Sequence, residues 1–303
     1  MPPLAVLVLE FDPILRFGET EVRLETVVLA IVMAATLLVA GLIARATPAG
    51  EPDEVVKPGL AGEAGEAAEH RGLGARLRPD DLLFVAMGIL PGAVVGGRLG
   101  YVLLHLDYYL ANPGAIADPA QGGLELALAV VGGTLTAAYV LDRLGAPVGR
   151  WAHVAIFPLL LGLGAGKIVG VLGADGQGAP SDLPWATVYV ADGPWGSLAP
   201  EIASHASQAY EGIATLLVLQ VMTILVALGV FRQPSGRAFL VGLTLWSLVR
   251  AGVATTWRDA PVVGPLLAGQ LIALAVAAAC VGLLLARRPR SLTPRPRPAG
   301  HAA

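Results

Sequence analysis

Residues 152–172 read AHVAIFPLLLGLGAGKIVGVL, twenty-one positions whose only polar side chains are His153 and Lys167. Crossing a bilayer core of ~30 Å takes ~20 apolar residues of helix. Inside hydrocarbon every backbone polar group must bond within the chain, so such a stretch reads as a helix. Gly162, Gly164 and Gly166 recur at every second position, and small residues let helices approach closely in lipid. Lys167 stands near one end of the stretch, where a charge that would cost at least ~2.5 kcal/mol at the bilayer centre demands an explanation.

Six further stretches read the same way. They are Thr26–Ala44, Leu82–Leu104, Gly123–Leu141, Gly212–Phe231, Ala238–Thr256 and Val262–Ala286. Composition agrees: 55% of the chain is hydrophobic and 14% charged, against roughly a quarter charged in soluble domains. The fold expected is all-α, a polytopic membrane protein of about seven transmembrane helices. No internal repeat points to the inverted halves of a transporter, although an unrelated transporter is a further reading. The lone Cys280 lies within an apolar run and forms neither an internal disulfide nor a thiol metal pair. Met1–Phe11 lacks the basic start and small-residue cleavage site of a signal peptide.

Lys and Arg concentrate in cytoplasmic loops. One set of loops and the tail hold fourteen of them: Arg45, Lys57, Arg71, Arg76, Arg78, Arg143, Arg150, Arg232, Arg237, Arg287, Arg288, Arg290, Arg295 and Arg297. The opposite loops hold three, Arg16, Arg23 and Arg258. The asymmetry places the N-terminus outside and the C-terminus in the cytoplasm. Residues 1–286 are expected to form a single transmembrane domain. Residues 46–79, rich in Ala, Gly, Glu and Pro, read as a flexible cytoplasmic insertion between helices one and two. The 287–303 tail reads as a basic, Pro-rich segment lying near anionic lipid.

Three cations fall inside predicted helices, Arg98, Lys167 and Arg250, with Arg258 just beyond the sixth. All four lie toward the outer ends of outward-running helices. Glu125, Asp175, His205, Glu211 and Asp259 fall at the same level. Each arginine could snorkel to the interface independently. Convergence instead suggests a cation-rich pocket at the outer-leaflet headgroups, suited to a phosphodiester that guanidinium groups grip in bidentate fashion. The ligand so implied is an anionic phospholipid.

Several motifs sharpen this. Gly97-Arg98-Leu99-Gly100-Tyr101, Leu106-Asp107-Tyr108-Tyr109-Leu110-Ala111-Asn112-Pro113 and the opening Glu10-Phe11-Asp12-Pro13-Ile14-Leu15 occur in order. So do Pro184-Trp185-Ala186-Thr187-Val188-Tyr189, His205-Ala206-Ser207-Gln208-Ala209-Tyr210-Glu211, Trp257-Arg258-Asp259 and Gly269-Gln270-Leu271. Together they resemble the bacterial prolipoprotein diacylglyceryl transferases, over nearly the whole chain outside 46–79 and the tail. The resemblance implies a seven-helix enzyme of the cytoplasmic (inner) membrane. Such an enzyme moves the diacylglyceryl group of phosphatidylglycerol onto the lipobox cysteine of a prolipoprotein signal peptide, with glycerol phosphate leaving and with no metal or other cofactor. The partners implied are phosphatidylglycerol, the prolipoprotein and membrane lipids; no nucleic acid is expected.

By the same resemblance Arg258 serves the phosphate, while Arg98, Tyr101 and Lys167 bind the lipid headgroup. Gln208, Tyr210, Glu211 and His205 shape the outer mouth. His205 is the candidate base by its chemistry, with an interfacial, loop-holding imidazole as the other reading. The chain departs from the family at several places. The family's His-Gly-Gly appears as Val131-Gly132-Gly133, its Gly-Arg-Ile-Gly-Asn-Phe as Gly166-Lys167-Ile168-Val169-Gly170-Val171, and its Arg-Trp-Tyr-Gly as Arg23-Leu24-Glu25-Thr26. These departures keep open an alternative, a family member that binds phospholipid or lipoprotein without turnover.

Overall fold

A computed structural model describes residues 6–48, 77–118, 120–231 and 233–286. Among the described residues, seven helices are long and apolar enough to cross a membrane. They are α1 (Leu24–Ala46), α2 (Pro79–Leu104), α3 (Leu126–Arg143), α4 (Val148–Val169), α5 (Ser207–Ala227), α6 (Gly236–Val253) and α7 (Ala268–Ala286). The polytopic, mainly helical architecture expected from the sequence is the one observed. α2 starts on a proline followed by Asp80 and Asp81, acidic groups that suit a helix N-terminus. α3 starts on Glu125, whose carboxylate accepts the amides of Ala127 and Leu128 at 2.9 and 2.7 Å.

Glycine sets how these helices meet. Gly88, Gly92, Gly96 and Gly100 repeat at i, i+4 along one face of α2, and that face lies directly on α3. A Cβ on Gly132 would collide with the Gly92 carbonyl, and one on Gly96 with the Leu128 carbonyl. Bare backbone contact of this kind replaces the hydrophobic drive that lipid removes. The same device joins α4 to α5, where a Cβ on Gly212 would stand 2.8 Å from the Gly164 carbonyl oxygen. Consecutive contacts run in opposite directions along each pair, so the helices alternate up and down. α6 is central: 56% of its apolar window is buried, against 11% for α1 at the edge. Its Phe239, Leu243 and Trp246 pack with Ile156, Leu160, Met222, Val276 and Cys280 in the main core.

One end of the bundle carries a cap with short strands that hydropathy did not reveal. β1 (Leu7–Leu9) pairs in parallel with β4 (Thr187–Tyr189). β2 (Ile14–Phe17) and β3 (Thr20–Arg23) form a hairpin around Gly18, and β5 (Pro261–Val263) pairs with β6 (Leu266–Leu267). That last pair corrects the predicted start of the seventh helix. Val262 and Val263 are exposed strand residues turning at Gly264, and the helix begins only at Ala268. α5 conversely starts five residues before the predicted Gly212. Its polar first turn is helical because Ser207, Gln208 and Glu211 are buried against neighbouring helices.

At the opposite end, Ala46 closes α1 and Pro79 opens α2, so both limits of the expected insertion are helical. The Leu77 amide donates to the Thr47 carbonyl at 3.1 Å, and Leu77 is buried beside Ala44 and Trp151. The rest of the insertion and the basic tail lie outside the described residues.

Candidate active site

At the capped end of the bundle four helices meet in a buried chain of alternating charges. Glu211, 1% exposed, lies on the first turns of α5 and is followed by Gly212, whose missing side chain lets α4 approach. One carboxylate oxygen of Glu211 accepts from Arg250 Nη1 at 2.5 Å, and the other pairs with Lys167 Nζ at 3.2 Å. The second arm of Arg250 reaches the Glu125 carboxylate at 3.0 Å. Two carboxylates and two cations therefore connect α3, α6, α5 and α4. A buried ion loses its hydration, and only close counter-charges and hydrogen bonds restore it. Arg250 gains a further contact from Trp257, whose ring centre is 4.7 Å from the guanidinium carbon. Trp257 in turn stands on Gly269, where a Cβ would come within 2.5 Å of the indole.

Of the four, Lys167 is the member that reaches the open side, its side chain 29% exposed against 6% or less for the others. The segment that opens α5 supplies further polar side chains. Gln208 is buried, donates to the Tyr189 hydroxyl at 3.4 Å and leaves its Oε1 unpartnered. The His205 Nδ1, the Tyr210 hydroxyl and the Arg250 Nε are likewise buried without a hydrogen-bond partner among the described residues. Buried polar atoms are normally satisfied. Three of these atoms, on His205, Gln208 and Tyr210, belong to the segment that opens α5. Tyr189 lies in the cap rather than in a span. Burial pushes its phenol up to about 12, so it stays a donor, to the Val171 carbonyl at 2.8 Å.

Arg258 approaches from the segment after α6. Its Nε donates to the Gly178 carbonyl at 2.6 Å and its Nη2 to the Ser204 hydroxyl at 3.0 Å, with longer reaches to Ala199 and Gln177. Nη1 makes no hydrogen bond among the described residues. Gly178 also donates its amide to the His205 carbonyl at 2.7 Å, so Arg258 and His205 grip one loop residue from both sides. Ser207 and Thr256 hydroxyls, 2.6 Å apart, stitch the start of α5 to the same segment.

Arg98 is spent differently. Its guanidinium donates to the carbonyls of Ile116, Ala115, Asp118 and Gln121 at 2.7–2.9 Å and to Gly123 at 3.4 Å. It also lies over the Tyr109 and Tyr101 rings. Arg98 thus folds the loop between α2 and α3, and Tyr101 packs on Gly122 and stacks on His105 at 4.2 Å. This loop adjoins the charge chain through Gly100, which packs on Glu125. The structure therefore unites Lys167 with Glu211, Gln208 beside them, and Arg258 with His205. Arg98 and Tyr101 sit in a neighbouring cluster. Val131, where the resembled family carries histidine, lines an open apolar groove with Pro91, Val95, Leu128 and Leu135.

Sequence reasoning counted Arg250 in the cation-rich pocket and put Glu125 at its level, but gave neither a substrate-binding or catalytic role. Intramembrane charge was the available signal. The pairings were hidden because the partners lie 125 and 39 residues from Arg250 along the chain.

A family model described as prolipoprotein diacylglyceryl transferase matches residues 64–286. A phosphatidylglycerol–prolipoprotein diacylglyceryl transferase of Geobacter sulfurreducens is 32% identical over 187 residues, 61% of this chain and 67% of the relative. One from Trichormus variabilis is 28% identical over 206 residues, 66% of this chain and 72% of the relative.

Proposed function

Because the chain belongs to the prolipoprotein diacylglyceryl transferase family, we propose that it transfers the diacylglyceryl group of phosphatidylglycerol to the lipobox cysteine of prolipoproteins. The single observation that carries the site is the Lys167 ammonium, partly exposed and held by a buried carboxylate at the polar end of the bundle. The distribution of Lys and Arg argues that this end faces outward across the bacterial cytoplasmic membrane, with the N-terminus outside.

The cysteine S–H loses its proton to a base, and the sulfur attacks the carbon of the diacylglyceryl group that bears the phosphate oxygen. The carbon–oxygen bond breaks as the thioether forms, and the electron pair leaves with glycerol phosphate. Negative charge grows on the leaving oxygen, so fixed cations stabilise the transition state. In this reading Lys167 and the free Nη1 of Arg258 face the phosphate. His205, its Nδ1 unpartnered, takes the thiol proton. Glu211 fixes Lys167, Gln208 and Tyr210 offer polar atoms to the headgroup, and Arg98 and Tyr101 build the rim. Residues 1–286 act as one transmembrane domain, with 46–79 an insertion and 287–303 a tail on the cytoplasmic side.

The test is transfer by purified protein in proteoliposomes containing phosphatidylglycerol labelled in its diacylglyceryl group, with a lipobox peptide as acceptor. Label should appear on the cysteine in a thioether. Folded protein that binds phosphatidylglycerol yet labels no peptide would replace this reading with binding alone.

A further inference from the structure

We propose that the groove between α2 and α3 docks the apolar helix of the prolipoprotein signal peptide and delivers its cysteine to the level of Glu125. This rests on the transferase reading above. The groove encloses about 470 Å³ between Val95 and Leu99 on α2 and Leu128 and Leu135 on α3, with Gly92 and Gly96 also in its lining. Its one hydroxyl, on Thr136, is turned onto the carbonyls of Gly132 and Gly133 at 3.1 Å. No side chain of the lining is left to hold a polar ligand. Val95, Leu99 and Leu135 are exposed, so the groove opens sideways along its length. An apolar helix lying alongside fits such an opening, because glycine in the lining lets a second helix come close in lipid.

The order of groups along α2 matches the order along a signal peptide, which runs from a basic start through about 7–15 apolar residues to a small-residue cleavage site. Asp80, Phe84, Met87, Pro91 and Val95 recur at three- and four-residue spacing, which places them on one face of the helix. Asp80, Phe84 and Met87 are exposed. From the uncapped end upward the face therefore offers a carboxylate, an apolar stripe and then the groove. At the top Gly100 packs on Glu125, where the charge chain begins. The groove alone, from Pro91 to Leu99, covers about 12 Å of helix axis, and with the stripe down to Phe84 about 22 Å. Helical apolar segments of about 7–15 residues measure about 10–22 Å. A peptide running parallel to α2 thus sets its basic start beside Asp80 and its cysteine beside the charge chain. An acyl chain could fill the groove but carries nothing to meet Asp80.

Photocrosslinking in proteoliposomes tests this. The photoreactive residue p-benzoylphenylalanine replaces Val95, Leu135 or, as a control, Leu38, an exposed residue of α1. All three sites are exposed, so the larger side chain displaces no packing. A biotinylated lipobox peptide carrying its whole signal sequence should crosslink at positions 95 and 135 far above position 38, and excess unlabelled peptide should abolish the product. Equal yields at the three positions overturn the proposal. Crosslinks from 95 and 135 to phosphatidylglycerol that excess peptide leaves untouched would give the groove to an acyl chain and overturn it too. Asp80→Asn should raise the peptide concentration for half-maximal crosslinking by about 2–5-fold, the scale of one exposed ion pair. A peptide with glutamine for its basic residues should show no such shift; the same shift in both would refute the orientation along α2. Crosslinking needs no turnover. Protein that crosslinks but transfers nothing loses the transferase reading and keeps the docking site, whereas transfer without a groove crosslink does the reverse.

Discussion

Replacing Glu211 by glutamine removes one negative charge from a carboxylate that is itself 1% exposed. Two cations depend on it, Arg250 at 2.5 Å and Lys167 at 3.2 Å. Glutamine keeps one acceptor oxygen but turns an NH2 group toward a guanidinium or an ammonium, setting donor against donor. Breaking a buried pair by removing one partner costs about 3–5 kcal/mol. Arg250 keeps Glu125, and Lys167 can swing toward solvent, so the loss belongs near the lower end, about 3 kcal/mol. For a chain of this size that corresponds to a fall in thermal midpoint of about 5 °C. The protein carries its own reporter. Cys280 is its one cysteine and is buried in the main core. A thiol-reactive fluorophore added to detergent-solubilised protein should therefore report core opening on heating. A Glu211→Gln midpoint equal to wild type would mean that the charges are not enclosed as described, and the site built on them would go with it.

Arg258→Ala should cut transfer by about 10²–10³-fold, the range for losing one preorganised donor to a developing anion; full activity in labelled-lipid transfer would remove Arg258 from the site. Gly132→Leu should separate α2 from α3, since even a methyl group there meets the Gly92 carbonyl, and the yield of monodisperse protein should collapse. Gly282→Leu, at a glycine with open space around it, is the matched control that should fold normally. Tyr189 has a phenol raised above its ordinary value by burial, to about 12, so the stability tied to its proton is complete below pH ~10 and lost as pH rises toward 12. Tyr189→Phe should flatten that alkaline limb of the Cys280-monitored melting curve.

The spans were legible because lipid imposes length and apolarity on every crossing segment, and the interiors of all seven predicted segments are helical. What hydropathy misread were ends. Val262 and Val263 look like helix but lie on an exposed hairpin, while Ser207–Glu211 look like loop but form a helical turn buried by its neighbours. The pairing of β1 with β4 joins residues about 180 positions apart, and no local periodicity encodes that. Within the site, charge in an apolar run flagged Arg98, Lys167 and Arg250 equally. Only three-dimensional neighbours separate them: carbonyl oxygens for Arg98, a buried carboxylate shared between the other two.

The single hydrogen bond from Leu77 to Thr47 gives the protein a practical handle. It ties the end of α1 to the segment leading into α2, so Thr47 and Leu77 stand side by side. Doubling a loop closed at its base costs only about 0.6 kcal/mol in chain entropy. A fluorescent or affinity module spliced in beyond Pro48 would then hang from the bundle as a pendant, leaving the helix pair and the distant charge chain undisturbed.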